Sequence, residues 1–189
     1  AEECIKRDAG RPEAERVGAS VIRRMQAQYR IGTDTEEVQF EPVVPNENLP
    51  RAIICDLDGT LSLFEEKGHR GPYDHSLCAE DDVNESVRHL LDVYHRFMGY
   101  TIIYVSGREE KFRPQTEQFL KWHHCPPGPL WMRATGDFRK DWVIKGELFD
   151  ANVRGQWNVD FVLDDRPSVL RFWRSIGLTT FAVGDLKEF

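Results

Sequence analysis

Two carboxylates follow a short apolar run in AIICDLDGTLS, residues 52–62. A carboxylate such as Asp56 can attack phosphorus as a nucleophile, and a second one, Asp58, can pass a proton to the leaving oxygen. Gly59 and Thr60 let the chain turn away directly afterwards. An isolated D-x-D-G is more often a surface turn, but the buried strand predicted before it favours a catalytic role here.

A second pair of acids, Asp164 and Asp165, follows another predicted strand at 161–163. Four carboxylates at one edge of a sheet repel one another strongly, and a hard divalent cation relieves that repulsion. Oxygen-only ligation with few protein groups suits Mg²⁺. We therefore predict a magnesium site that includes Asp56, Asp58 and the later pair. The sequence leaves open which member of that pair binds the ion directly.

Polar residues also follow the predicted strand at 101–105. Ser106, Gly107 and Arg108 offer a hydroxyl, a backbone N–H and a guanidinium, which together can cradle a phosphate. An equally good interpretation is a serine that caps a helix, followed by a solvated arginine. The residues alone do not separate the two.

Asp141 and Lys145 lie four residues apart on one face of a helix predicted at 138–149. Such a pair is commonly an ordinary surface ion pair. Alternatively, the lysine neutralises a phosphate, and Asp141 orients it or contacts the substrate. Arg70 lies in the turn-rich interval 61–82, which is too short for a folded lid. We expect an open site, which suits the end of a polymer better than a small metabolite.

Strands and helices alternate from Arg51 onwards, and the apolar strands are continuous. This pattern predicts an α/β fold with a Rossmann-like parallel sheet and helices on both faces. Ligands of such sheets bind beyond the carboxyl ends of the strands, where all three polar clusters fall. The strands are predicted at 52–55, 101–105, 130–133, 161–163 and 179–183, and the helices at 83–98, 112–123, 138–149 and 168–176.

The remaining composition excludes several classes of protein. The net charge of −7 argues against nonspecific coating of nucleic acid, although a local basic pocket remains compatible with it. No apolar run is long enough to cross a membrane, and no signal-peptide pattern is present. The four cysteines form no C-x-x-C pair, which indicates a reducing compartment, and we expect a cytoplasmic protein.

A family resemblance becomes visible at these residues. D-x-D-G-T-L, the strand-end serine, the later lysine and the D-D pair resemble the haloacid dehalogenase superfamily of phosphotransferases. GHRGPYD, MGYTIIYVSGR, GDFRKDWVIKGELF and DDRPSVLRFWRSIGL closely resemble the 3′-phosphatase domain of bacteriophage-type polynucleotide kinase-phosphatases. The resemblance covers nearly all of residues 51–189. It implies a haloacid dehalogenase fold with a very small cap.

The resemblance implies removal of a terminal 3′-phosphate from RNA or DNA ends before ligation, and some family members also open 2′,3′-cyclic phosphates. Asp56 would form an aspartyl-phosphate, and Asp58 would be the general acid and then the general base. Ser106 and Lys145 would hold the phosphoryl group. Magnesium would be bound by Asp56, the Asp58 backbone carbonyl and one acid of the later pair. Three further essential positions of the family match Arg70, Arg108 and Asp141. The alternative is a small-molecule phosphatase on the same scaffold.

The N-terminal part adds a second resemblance. A helical pattern runs over 11–29, and CIKRDAGR with VGASVIRRM is similar to the end of the kinase domain in such enzymes. We therefore predict a helical kinase stub at 1–31, a linker at 32–50 and the phosphatase domain at 51–189. Because the sequence starts at Ala1 without a methionine, we expect a processed product or a piece of a longer protein with an N-terminal kinase domain.

Overall fold

The computed structural model describes residues 2–12, 16–23, 38–64, 68–71 and 73–184. The chain forms two compact units, Ala1–Gln39 and Phe40–Phe189. In the part of the chain that the structure describes, every helix is too short or too polar to span a lipid bilayer.

The first unit contains a helix that the sequence did not predict, α1 at Glu2–Ala9. The helix predicted at 11–29 is wrong at its start, because residues 16–18 are not helical and the chain becomes helical only at 19–23. The Asp8 carboxylate explains this start, since it accepts hydrogen bonds from the backbone N–H groups of Val17 (2.9 Å) and Gly18 (2.8 Å). Residues 24–29 of the predicted helix lie outside the described residues.

The second unit is built on a five-stranded sheet in the order β5-β4-β1-β6-β7. All neighbouring strands in it are parallel, and the predicted α/β fold is confirmed. The strands of the chain are β1 at Arg51–Cys55, β2 at Ser62–Leu63, β3 at Asp82–Val83, β4 at Thr101–Glu109, β5 at Leu130–Arg133, β6 at Asn158–Asp164 and β7 at Thr180–Ala182.

Helices cover both faces of this sheet because its central strands are apolar on both sides. Along β1, Ala52 and Ile54 belong to one buried cluster, and Ile53 and Cys55 belong to the other. The first cluster includes residues of α4 and α5, and the second includes residues of α2 and α3. These helices are α2 at Glu85–Met98, α3 at Arg113–Trp122, α4 at Asp141–Asn152 and α5 at Pro167–Ser175.

Two predicted boundaries are wrong near the site. Strand β4 does not end at residue 105 but continues to Glu109, and its register with β5 shifts between Ser106 and Glu109. The predicted cradle residues therefore lie inside the irregular end of this strand. Helix α4 begins at Asp141 rather than at 138, because the Asp137 carboxylate accepts from the backbone N–H of Arg139 (3.1 Å) and holds a turn instead of capping the helix.

Part of the predicted linker packs with the second unit. The Phe40 ring lies 5.0 Å from the Phe172 ring in an edge-on contact. The backbone N–H of Val43 donates to the carbonyl of Ile176 at 2.7 Å, and both linker side chains contact the core. Residues 32–37 of the predicted linker lie outside the described residues, and the predicted domain boundaries stay a prediction.

The interval between β1 and α2 is small, as predicted. In its described residues it contains the antiparallel pair β2 and β3 and one 3₁₀ turn at Cys78–Glu80. The prediction of a very small cap is confirmed. The carboxyl end of the large sheet is therefore left without a folded lid domain among these residues.

Candidate active site

The candidate site lies where the strand order reverses. From β1 the chain adds β4 and β5 on one side of the sheet and then returns to place β6 on the other side of β1. Such a reversal opens a crevice at the carboxyl ends of the two central strands. Asp56 directly follows β1, where its backbone N–H donates to Leu163 of β6 at 3.0 Å. Asp164, the last residue of β6, is thereby brought beside it.

Three carboxylates meet in this crevice. One oxygen from each of Asp56, Asp164 and Asp165 lies within 4.8 Å of the other two. Burial raises the pKa of Asp165 to about 7, with a further contribution from the Asp56 charge. Burial also raises the pKa of Asp56, where Lys145 opposes the effect and the neighbouring acids add to it. The charged forms of these acids are disfavoured, and a hard divalent cation bound by their oxygens would offset the repulsion between them. A donor set made only of carboxylate oxygens fits Mg²⁺.

Lys145 is the buried cation beside the acidic cluster. Its side chain lies on α4 and is 2% exposed, and its ammonium group is 2.8 Å from an oxygen of Asp56 and 2.8 Å from an oxygen of Asp164. The same ammonium group is 3.3 Å from Asp141, one helical turn earlier. The interpretation as an ordinary surface ion pair is therefore wrong, because both members are buried and point into the crevice.

Asp141 is held by three cations. Besides Lys145, Arg133 at the end of β5 donates to it at 2.9 Å, and Arg166 lies 3.6 Å from its other oxygen. Burial alone would raise the pKa of Asp141, but the three cations lower it below its usual value. Gly107 lies against this carboxylate so closely that a Cβ atom would collide with it. A larger residue at position 107 would therefore displace the Asp141 carboxylate from the cations that hold it.

The side chain of Asp58 is separate from the acidic cluster. Its oxygens accept from Nε of Arg108 (2.8 Å) and Nη2 of Arg108 (2.8 Å), and Nη2 of Arg70 donates to it at 2.5 Å. Burial favours the protonated form of Asp58, but Arg108, His75 and Arg70 outweigh burial and hold the pKa well below its usual value. Asp58 is therefore a carboxylate in this arrangement.

A buried acid that the sequence did not single out holds the two arginines in place. Asp81 is 1% exposed and accepts from Nε and Nη2 of Arg70 at 2.7 Å and 2.5 Å. It also accepts from Arg108 at 3.1 Å and from the Ser62 hydroxyl at 2.5 Å. Two carboxylates and two guanidinium groups thus form one network with Asp58 at its outer end.

The predicted substrate contacts Arg70 and Arg108 are both buried, at 7% and 0% exposed. Their guanidinium groups donate to Asp58 and Asp81, so they hold the Asp58 carboxylate in place rather than face the solvent. Ser106 is also buried, and its hydroxyl oxygen accepts from the backbone N–H of Arg108 at 3.2 Å. This leaves the hydroxyl proton of Ser106 as the donor that it can offer to a phosphate.

Asp81, Arg133 and Arg166 belong to the site although sequence reasoning missed them. Asp81 lies in a run of acids before a helix, which resembles an ordinary helix start. Arg133 ends a weak strand, and Arg166 follows the D-D pair, where an arginine is commonly solvated. For the two arginines, the position at the carboxyl end of a strand was the one feature of the sequence that indicated a place in the site. No local feature of the sequence indicates such a place for Asp81.

Comparison with known proteins gives concordant matches. The family model described as the polynucleotide kinase PNKP phosphatase domain matches residues 50–187. A putative bifunctional polynucleotide kinase/RNA ligase of Autographa californica nuclear polyhedrosis virus is 32% identical over 146 residues, which are 75% of this chain and 20% of the viral protein.

Two solved structures are also similar. A chain of a Pnkp1/Rnl/Hen1 complex is 39% identical with a TM-score of 0.72, and the match covers 82% of this chain and 52% of that one. A chain of a Pnkp1/Rnl/Hen1 RNA repair complex is 35% identical with a TM-score of 0.73, and the match covers 100% of this chain and 63% of that one. The present chain thus corresponds to only a part of each of these longer relatives.

Proposed function

Because the chain belongs to the family of polynucleotide kinase PNKP phosphatase domains, we propose that it removes the terminal 3′-phosphate from RNA or DNA ends through an aspartyl-phosphate on Asp56. Membership of this family confirms the resemblance and the haloacid dehalogenase fold predicted from the sequence. Phosphatase chemistry follows from the family, whereas the 3′-phosphate substrate and the residue roles are proposed. A 2′,3′-cyclic phosphate is the second candidate substrate of the same site.

The observation that carries the proposal is the placement of Asp56. The Asp56 side chain is 8% exposed, and its carboxylate lies 2.8 Å from the Lys145 ammonium group and borders Asp164 and Asp165. This carboxylate lies at the carboxyl end of a parallel strand, where the Lys145 ammonium group fixes its orientation and burial keeps most water away. It is therefore well placed to attack phosphorus. These features support a covalent role over a purely structural one.

In the first step, an oxygen of Asp56 forms a bond to phosphorus, and the bond from phosphorus to the 3′-oxygen of the nucleotide breaks. Lys145 and the Ser106 hydroxyl stabilise the negative charge on the transferring phosphoryl group. The leaving 3′-oxygen takes a proton from Asp58, which must first accept one from solvent. The negative charge of the bound phosphate opposes Arg70 and Arg108 and so raises the pKa of Asp58.

In the second step, water attacks the phosphorus of the aspartyl-phosphate. Asp58 has lost its proton in the first step and now accepts one from the attacking water. The bond between phosphorus and the Asp56 oxygen breaks, which releases inorganic phosphate and restores the Asp56 carboxylate, with Asp58 protonated again. The network of Arg70, Arg108 and Asp81 keeps Asp58 in one orientation through both proton transfers.

We propose that Asp56, the Asp58 backbone carbonyl and the pair Asp164 and Asp165 hold Mg²⁺. The ion would supply positive charge to the phosphoryl oxygens. Chelation with EDTA is expected to abolish turnover, and added Mg²⁺ is expected to restore it. The Asp165→Asn variant should need about tenfold more Mg²⁺ for half-maximal activity, because it loses one charged ligand. The measurement is initial rate against Mg²⁺ concentration.

A control for the metal experiment is Asp92→Asn, which removes an acid paired with Arg96 on α2. This variant should keep the Mg²⁺ dependence of the unaltered chain. Full activity after a metal-free wash would contradict the assignment of a cation to the acidic cluster.

A comparison of substrates tests the proposed function itself. We expect kcat/KM on a 3′-phosphorylated oligonucleotide to exceed that on isolated nucleoside or sugar phosphates by about tenfold or more, the effect of one further base or phosphate contact. Equal values on all substrates would instead indicate the small-molecule phosphatase considered above. An RNA and a DNA oligonucleotide of the same sequence, measured side by side, would determine the preferred nucleic acid.

We also propose that the longer protein carries a kinase domain before this one, with residues 1–31 as its end, 32–50 as the connecting segment and 51–189 as the phosphatase domain. The name of the viral relative includes a polynucleotide kinase, which supports the presence of a kinase domain in the longer protein. In such a protein, a kinase and a 3′-phosphatase would prepare the two sides of a broken strand. We propose a cytoplasmic location for it, and 3′-phosphorylated nucleic acid ends as its partners.

A further inference from the structure

We propose that Phe138 stacks against the nucleobase of the terminal nucleotide, the one that carries the 3′-phosphate. This inference rests on the proposed function and names a contact that would set its substrate class. Phe138 lies between β5 and α4, at the carboxyl end of the sheet, and is 59% exposed. It is three residues before Asp141, so the two Cα atoms are at most about 11 Å apart.

The backbone on either side of Phe138 is fixed by one arginine. Nη1 of Arg133 donates to the carbonyls of Asp137 (3.0 Å) and Arg139 (3.0 Å), the residues before and after Phe138. Nη2 of the same guanidinium donates to Asp141 at 2.9 Å. The arginine that orients an acid of the phosphate site therefore also holds the segment that presents the ring.

Two further contacts tie this segment to the end of β4. The Thr135 hydroxyl accepts from the backbone N–H of Lys111 at 3.1 Å, and Glu109 accepts from the backbone N–H of Gly136 at 2.9 Å. A loop held at several points loses little conformational freedom when a ligand binds. Phe138 is thus an exposed aromatic side chain on an already ordered backbone.

A nucleobase is the ligand chemistry that fits this position. The adjacent crevice is built for a phosphate monoester, and nucleotides carry a flat aromatic group within a few bonds of that phosphate, whereas sugar phosphates do not. Stacking on an aromatic side chain accepts any base, because every base has a π-face. A phosphatase that acts on ends of varied sequence needs a contact of this tolerant kind.

The test compares Phe138→Ala with the unaltered chain on two 3′-phosphorylated oligonucleotides, one normal and one with an abasic terminal nucleotide. We expect the substitution to raise KM about tenfold on the normal substrate with kcat little changed, since stacking binds substrate and transition state alike. On the abasic substrate the substitution should have no effect. Phe138→Trp should keep the normal KM, and Phe138→Leu, which lacks a flat face, should behave like alanine.

Phe97 provides the matched control, because it is 81% exposed near the end of α2, which leads into the amino end of β4. Phe97→Ala should leave both substrates unaffected. An equal KM for Phe138→Ala and the unaltered chain would overturn the stacking role and leave the proposed function standing. An equal rise in KM on the normal and the abasic substrate would do the same. If the unaltered chain hydrolyses neither oligonucleotide, the proposed function itself fails. A third oligonucleotide, abasic only at the second nucleotide, checks which base is stacked. If Phe138→Ala loses its effect on KM on this substrate and keeps it on the terminally abasic one, the assignment to the terminal base is overturned.

Discussion

Replacement of Asp56 by asparagine is expected to lower 3′-phosphatase turnover by at least about 10³-fold, because an amide cannot form the aspartyl-phosphate. The same change should not lower the free energy of unfolding. The pKa of Asp56 is raised by burial and by its acidic neighbours, which means that the folded state disfavours its charge. A neutral side chain of the same shape removes that unfavourable charge.

The measurements are phosphate release from a 3′-phosphorylated oligonucleotide and thermal unfolding in EDTA. Asp92→Asn on α2 is the control, and it should retain full turnover. Appreciable residual turnover by Asp56→Asn, with the fold intact, would show that another group attacks phosphorus. Loss of both turnover and stability would contradict the electrostatic account of the site.

Replacement of Lys145 by methionine is expected to affect both activity and stability. Turnover should fall by about 10²- to 10³-fold, since a preorganised charge on the phosphoryl group is lost. The free energy of unfolding should fall by about 3–5 kcal/mol, because Asp56, Asp141 and Asp164 would lose their shared buried cation. Stability is measured by denaturant unfolding in EDTA.

The pH dependence of this loss distinguishes a charge effect from poor packing. Without the lysine, the folded-state pKa values of Asp56 and Asp164 rise further above their unfolded values. Such acids destabilise the fold above the unfolded pKa, and this effect disappears as they take up protons. The deficit should therefore shrink as the pH is lowered from about 8 to about 5. A deficit that stays constant over that range, or one equally large in the exposed control Lys121→Met, would contradict the charge effect.

Most of the fold could be predicted from the sequence, because hydrophobic periodicity and turn residues are local signals. The strand before Asp56 is apolar on both faces, which a sheet covered by helices requires, and β5 at Leu130–Arg133 has the predicted limits. The helix α1 was missed, since its eight residues include only three apolar ones, too few for a clear stripe. The start of α4 was misplaced because an aspartate whose side chain accepts a hydrogen bond within its own turn, such as Asp137, cannot be told from a helix-capping aspartate by sequence.

The grouping of the three acids was also accessible from the sequence. Asp56, Asp164 and Asp165 each follow or end a predicted strand, and parallel strands bring their carboxyl ends to one edge. The location of the Asp58 side chain was not accessible in this way. Its partner Arg108 is separated from it by 50 residues along the chain, and no local pattern encodes such a contact.

The sequence by itself determined the sheet, the edge at which polar residues gather, and the pair of carboxylates, Asp56 and Asp58, to which we assign phosphoryl transfer. Only the tertiary structure decided how the charges are partnered. In the folded chain Asp58 pairs with two buried arginines, which Asp81 also binds. Lys145, which the sequence alone allowed as a surface lysine, is buried in the crevice beside the acidic cluster. The physical reason is that periodicity is set by neighbours in sequence, whereas burial and pairing of charges depend on elements that meet only when the sheet is assembled.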